Sequence, residues 1–224
     1  TNKRSALDIA VAFDSVGGES NAETAREHTA YWARVRDADL DMAIETLTDM
    51  VTDSRLDEVD FSMERGVILD ELAMGEDSPT DTVHDTFQLA VHGDRPIGRP
   101  VGGTAQAIRE VERADVWEHY QAHYGPSSLI VAAAGNVDHD SVCECVQAAL
   151  EGSPWDAGSA ASPWPRRSTT VTAIADHDKD ITRRRDVTQA HVIIGCEGLS
   201  ATDPAGPTMS VLLSVLGGSM SSRL

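Results

Sequence analysis

The segment from Gly152 to Ser168 (GSPWDAGSAASPWPRRS) limits what this chain can fold into more than any other feature. It places Pro154, Pro163 and Pro165 among mostly small residues, offers neither a helical nor a strand period, and reads as a linker. A hydrophobic core must then be built separately on each side of it. Residues 1–151 are numerous enough to bury one. Residues 169–224 are too few to close their own and read as the start of a second domain. No internal repeat is evident.

Before the linker, two periods alternate. Ser5 to Val16 carries apolar residues at helical spacing and stops at Gly17-Gly18. Glu19 to Thr24 and His28 to Val35 alternate as two strands around a short polar turn. Helices are expected over Asp39 to Asp53 and over Asp57 to Asp77. Another follows the break at Pro79 and runs to about His92. Gly93 to Gly103 is a Gly/Pro-rich loop. Ala114 to Tyr124 and Asp138 to Leu150 are helical, and Ser128 to Ala134 (SLIVAAA) reads as a buried strand between them. Beyond the linker, Thr169 to Ala175 and Ala190 to Cys196 are expected as strands and Asp203 to Leu216 as a helix. Helices alternating with strand pairs predict an α+β fold, with helices packed on a mixed β-sheet.

Charge narrows the partners. With 18 Lys and Arg against 37 Asp and Glu, the formal charge is −19. Such a chain repels phosphate backbones and anionic lipid, so nucleic acid and membrane surfaces are excluded as expected partners. No stretch approaches the roughly 18 uninterrupted apolar residues of a membrane span. Nothing in these residues exports the chain, so a cytoplasmic protein is expected, with any signal upstream of Thr1. Cys143, Cys145 and Cys196 are too few for a disulfide framework.

The helix over Asp57 to Asp77 carries the most specific local signal. At about 100° per residue, Phe61, Ile68 and Leu72 form one apolar stripe, and Met63, Val67 and Met74 a second. Ser62, Arg65, Asp70, Glu76 and Asp77 occupy a polar side. Glu64 and Glu71 do not join them. They stand within about 20° of each other in the gap between the stripes. Carboxylates flanked by apolar surface are costly unless a metal ion or a buried Arg meets them. The pattern by itself fits a solvated acidic helix at least as well.

The surrounding residues add a resemblance. Glu64-Arg65-Gly66-Val67-Ile68-Leu69-Asp70-Glu71 resembles the glutamate motif of the insulinase/pitrilysin zinc peptidases, especially their mitochondrial processing peptidase branch. Gly18-Glu19-Ser20-Asn21-Ala22, followed by Glu27-His28-Thr29 and Tyr31, is similar to the same branch. So are Gly98-Arg99-Pro100 with Gly102-Gly103-Thr104, and the run Gly217 to Leu224. The ordered set covers essentially the whole chain. It implies the first-half domain of such a peptidase over 1–151, the linker over 152–168, and the start of a homologous, inactive-type second half over 169–224.

These enzymes are inverzincins, which hold Zn2+ with two His of an H-x-x-E-H helix and a distal Glu. The resemblance implies Glu71 as that distal ligand and Glu64 as the acid supporting the site. It implies Asn21 and Ala22 as the exposed strand that receives an extended peptide backbone, although the residues alone fit an ordinary edge strand equally well. The implied function is a zinc-dependent endopeptidase cleaving peptides or presequence-like segments with metal-activated water. Its implied partner, besides the peptide, is a second half or a second subunit of the same family, together forming a dimer. No H-x-x-E-H occurs in these residues, so both His ligands must come from outside them, and the segment is expected to be inactive alone. The alternative is a non-catalytic homologue that serves assembly or substrate binding.

The remaining constellations are weaker. His119 and His123 (HYQAH) have the i, i+4 spacing of a metal-binding pair. However, no Glu stands where a general base belongs, and Tyr120 and Tyr124 point to ordinary helix packing. Cys143 and Cys145 face different sides of their helix, and Arg183-Arg184-Arg185 reads as a solvated turn.

Overall fold

The computed structural model of the protein describes residues 1–93, 95–155, 180–195, 198–200, 202–218 and 220–223. The first helix, α1 (Ala6–Asp14), opens on a reciprocal cap. The Ser5 hydroxyl accepts the Asp8 N–H at 3.1 Å, and the Asp8 carboxylate accepts the Ser5 N–H at 2.8 Å. The chain reverses at Gly17, whose φ of 66° suits glycine. Gly18 then lies so close to the chain at Arg34-Val35 that a Cβ would stand 2.9 Å from Val35 Cγ1.

The hairpin follows, with β1 (Glu19–Thr24) antiparallel to β2 (Thr29–Arg34). Its register runs from Glu19 opposite Arg34 to Thr24 opposite Thr29. After a 3₁₀ turn at Asp37–Asp39 comes α2 (Leu40–Thr52), the most buried helix, which packs on α1, β2 and the later helix over His139–Glu151. Ala43, Thr46, Asp49 and Thr52 turn inward, with Phe13 of α1 joining the core. Asp49 is a buried carboxylate, and it is paired. It accepts the Thr1 hydroxyl at 2.7 Å and the Arg4 guanidinium at 3.0 Å.

The long helix α3 (Glu58–Asp77) and α4 (Pro79–His92) meet at Ser78, which ends one and starts the other. Its hydroxyl accepts the Asp81 N–H at 3.3 Å, and Pro79 occupies the first turn, where a missing N–H is harmless. A short helix, α5 (Ala105–Glu110), sits against α3 and was not expected from the sequence, because AQAIRE is too brief to display a period. Its one legible signal is Thr104, whose hydroxyl accepts the Ala107 N–H at 3.2 Å. Then come α6 (Arg113–His123), α7 (His139–Glu151) and α8 (Gly206–Gly217). The architecture is α+β.

Two expected strands are corrected. Ser128 to Ala134 begins in a 3₁₀ turn (Pro126–Ser128) and continues extended and unladdered, with Ile130 86% exposed. Of Ala190 to Cys196, the described residues 190–195 are also outside any ladder, with Ile194 92% exposed. Both runs have strand composition, but a strand exists only when a neighbour accepts its N–H groups. Among the described residues β1 and β2 alone form a sheet, an antiparallel pair rather than a mixed sheet. The 190–195 segment instead passes over α4, where the Phe87 ring packs on Gly195 so closely that a Cβ would overlap it. Thr169 to Ala175, Cys196 and most of the linker lie outside the described residues.

Candidate metal and peptide site

α3 packs one face only, and the residues on that face are half-buried. Phe61, Arg65, Ile68 and Leu72 turn toward α4, α5 and the following loop, and Gly102 approaches Leu72 so closely that a Cβ would be 3.0 Å from its Cδ2. Arg65, assigned to the polar side by the sequence pattern, folds inward instead. Its guanidinium lies 4.7 Å from the Phe61 ring centroid and donates to the Val111 carbonyl. The second apolar stripe is uncovered, with Met63 63%, Val67 49% and Met74 72% exposed. Glu64 and Glu71, two helical turns apart, stand on the border between this bare stripe and the packed face, and both are exposed. The expected gap between two buried stripes is therefore half open, and the carboxylates keep their hydration.

The hairpin gives Asn21 and Ala22 different roles. The Ala25 N–H donates to the His28 carbonyl at 2.8 Å, closing the hairpin with a hydrogen-bonded pair. Counting back along the register, Glu23 with Ala30 and Asn21 with Trp32 are hydrogen-bonded pairs, whereas Ala22 with Tyr31 and Ser20 with Ala33 are not. The backbone of Asn21 is thus spent on β2, and that of Ala22 points to the outer edge of β1. The Asn21 side chain covers that edge locally, its Oδ1 accepting the Ala22 N–H at 2.8 Å.

Arg26, which the sequence reading did not single out, ties this hairpin to the Gly/Pro-rich loop. Its guanidinium donates to the Ile97 carbonyl at 2.8 Å and to the Arg99 carbonyl, and stands 3.9 Å from Asp85 of α4. The available signal was a cation at a strand-to-strand turn. Arg185 reaches back to the end of α3, donating to the Glu76 carbonyl, so the triple-Arg run is not simply a solvated turn.

Elsewhere, Tyr120 and Tyr124 do pack. The Tyr120 hydroxyl donates to the Val51 carbonyl at 2.8 Å, and burial together with a hydrogen bond to Tyr124 pushes the Tyr31 phenol far above its ordinary range. His119 and His123 occupy the neighbouring face, and burial plus the charge of His123 holds His119 below the usual imidazole range. Cys143 approaches His139 at 3.6 Å and Cys145 donates to Asp41 at 2.9 Å, on two sides of α7 as their spacing implied.

Among the described residues no group of three or more His, Cys, Asp or Glu side chains is placed to share a cation. A protein zinc site needs three or four donors, usually with nitrogen or sulfur among them. Glu71, with Glu64 two turns before it on the same helix, does not make such a site alone.

Comparison with known proteins decides the family. Residues 1–105 match the family model described as insulinase (peptidase family M16), and residues 110–224 match that of the peptidase M16 inactive domain. The chain belongs to the peptidase M16 family. Relatives of this M16 chain include an uncharacterized zinc protease of Streptomyces coelicolor, 48% identical over 100% of this chain and 49% of its own length. Another, of Mycobacterium leprae, is 40% identical over 100% of this chain and 49% of its own length. The chain thus spans about half the length of these relatives. Among solved structures, the peptidase M16 inactive domain from Pseudomonas fluorescens superposes with a TM-score of 0.72 at 14% identity. It covers 99% of this chain and 53% of that one. A protease from Helicobacter pylori gives 0.62 at 21% identity over 75% and 39%. At these identities the structures speak for the fold. Among the described residues no helix is long and apolar enough to cross a membrane.

Proposed function

We propose that this chain is part of a zinc-dependent endopeptidase, in which Glu71 supplies one metal ligand and Glu64 orients or charge-balances the site. The observation that carries the reading is the match of the whole chain, at 48% and 40% identity, to relatives named zinc proteases. The two exposed carboxylates on α3 agree with it, since a ligand awaiting donors from another segment must not be sealed against its own domain. Both His ligands come from outside this segment. An extended peptide adds to the outer edge of β1, bonding to the backbone of Ala22, while the side chain of Asn21 stands at the same place to orient it.

The proposed organisation is a first-half domain over 1–151, a linker over 152–168 and the start of the second half over 169–224. A second half or subunit of the same family would complete the peptide chamber. A non-catalytic assembly subunit is the second reading; the inactive-domain match over 110–224 is compatible with both, since an inactive-type second half belongs to the endopeptidase reading too. One experiment separates the two: zinc content and peptide hydrolysis of the full-length protein, beside its Glu71→Gln variant. The endopeptidase reading expects about one zinc and hydrolysis in the wild type, with both lost in Glu71→Gln. Wild-type zinc stoichiometry in the variant would remove Glu71 from the ligand set. A zinc-free, inactive wild type would establish the assembly reading.

A further inference from the structure

We infer that Arg26 is a positioning residue for peptide cleavage, setting the outer edge of β1 against the helix that carries Glu71. The inference rests on the endopeptidase reading, in which those two places hold the substrate and a metal ligand. They belong to different packing groups. The hairpin packs with α1, α2 and α7, whereas α3 packs with α4 and α5, and broad contacts between elements stay within each group. The placement of Ala22 relative to Glu71 is therefore set by whatever bridges the two groups.

Arg26 is such a bridge, and it lies on the hairpin itself. From the turn between β1 and β2, its guanidinium donates to the Ile97 carbonyl at 2.8 Å and to the Arg99 carbonyl, and stands 3.9 Å from Asp85 of α4. One planar fork meeting two carbonyls fixes direction as well as distance. The loop that accepts these bonds is braced in turn. Pro96 and Pro100 restrict its backbone, and the Gly98 N–H donates to the Arg95 carbonyl at 2.9 Å. Gly98 is buried so tightly that a Cβ would overlap the Gly93 carbonyl. Farther along, Gly102 meets Leu72, the residue after Glu71. A second bridge runs by way of α6, where Tyr124 bonds to Tyr31 of β2 and the preceding turn accepts Arg65 of α3 at the Val111 carbonyl. That attachment alone leaves the hairpin free to pivot about Tyr31. The two together fix its angle.

Hydrolysis depends on this angle because the scissile carbonyl must meet the attacking water in one geometry, and a misplacement of about 1 Å costs roughly 100-fold in rate. Main-chain bonds along β1 hold a peptide wherever the hairpin stands, so loss of Arg26 acts on kcat rather than on affinity.

The test measures kcat and KM of the full-length protein on an extended peptide, for wild type, Arg26→Lys and Arg26→Ala. Beside it, fluorescence anisotropy reads the affinity of each metal-free form for the same peptide. The expected result is a kcat at least tenfold lower in Arg26→Ala and partly recovered in Arg26→Lys, with zinc content unchanged and peptide affinity within threefold of wild type. A kcat within twofold of wild type in folded Arg26→Ala would overturn the proposal, and so would a loss carried wholly by affinity or by zinc content. Should Arg26→Ala lose its helical circular dichroism, Arg26→Lys decides alone. A kcat lowered more than twofold at unchanged affinity then supports positioning, and a kcat within twofold overturns it. Each of these outcomes, read on an active and zinc-loaded wild type, leaves the endopeptidase reading standing, whereas a zinc-free, inactive wild type overturns both.

Discussion

Replacing Arg26 by Ala should loosen the β1–β2 hairpin more than the rest of the protein. A two-stranded hairpin is marginal in water, so its order depends on what else holds it. Besides contacts from α1 and α2, that is Arg26, one-quarter exposed, whose guanidinium donates to the carbonyls of Ile97 and Arg99. Hydrogen bonds from a charged donor contribute about 1.5–3 kcal/mol each when shielded. Partial exposure brings each bond below that range, to about 1 kcal/mol, and water can reach the freed carbonyls on the loop, so no buried orphan is left. The ion pair to Asp85, 3.9 Å long with Asp85 54% exposed, adds at most a few tenths. The loss is then about 2 kcal/mol. If the anchor forms only when the hairpin is closed, local opening becomes about 30-fold more frequent, since 1.4 kcal/mol is a factor of ten. Native-state hydrogen exchange reads this at the ladder amides of Asn21, Glu23, Ala30 and Trp32. Arg26→Lys should recover part of the protection, because an ammonium lacks the planar fork that spans two carbonyls. Exchange at those four amides within twofold of wild type in Arg26→Ala would refute the anchor.

Ala22→Pro in the full-length protein should leave the β1–β2 ladder intact, because the lost N–H faces the open edge, yet raise KM for an extended peptide at least tenfold. Asn21→Pro should unravel the hairpin, and an unchanged KM in folded Ala22→Pro would remove the edge from the substrate path. Asp37 is held below the ordinary carboxylate range, first by the Asn136 amide, which donates to it at 2.6 Å, and then by the Ala38 N–H. The unfolded chain therefore binds this proton more readily, so Asp37 contributes stability above the ordinary carboxylate pKa that is lost as pH falls toward the lower folded value. In Asn136→Ala, an NMR titration of the Asp37 carboxyl should move upward, and an unchanged midpoint would show that the amide is not the cause.

Much of this molecule is readable from its residues because its helices are punctuated locally. Ser5 with Asp8, Ser78 with Pro79 and the Gly17-Gly18 stop each satisfy or end a helix from within a few residues, and those boundaries follow from the sequence. What depends on a distant neighbour was not readable. SLIVAAA has the composition of a buried strand, but composition cannot supply the strand that should accept its hydrogen bonds. Of its apolar side chains, Val131 and Ala133 line an open groove against α7 with Val142, Val146 and Leu150. The α3 pattern shows the same limit. Helical periodicity located both apolar stripes and the two carboxylates between them, yet only contact with α4 and α5 determines which stripe is covered.

The peptide edge joins these two kinds of information. Asn21 and Ala22 stand out as adjacent letters of one motif, with nothing in their order to say which offers its backbone. That choice is made at the two ends of the hairpin. The Ala25–His28 pair closes the turn at one end, and the Gly18 approach to Val35 fixes the other. A slip of one residue would turn the N–H of Asn21 outward and spend that of Ala22 on β2. A side chain at Gly18 would therefore alter the peptide edge without touching it, because the 2.9 Å contact with Val35 would have to open by shifting β1 against β2. The conformation of the proposed substrate strand is thus set by a glycine before it and a turn after it, and Arg26 in that turn holds the whole unit against the loop that packs on α3.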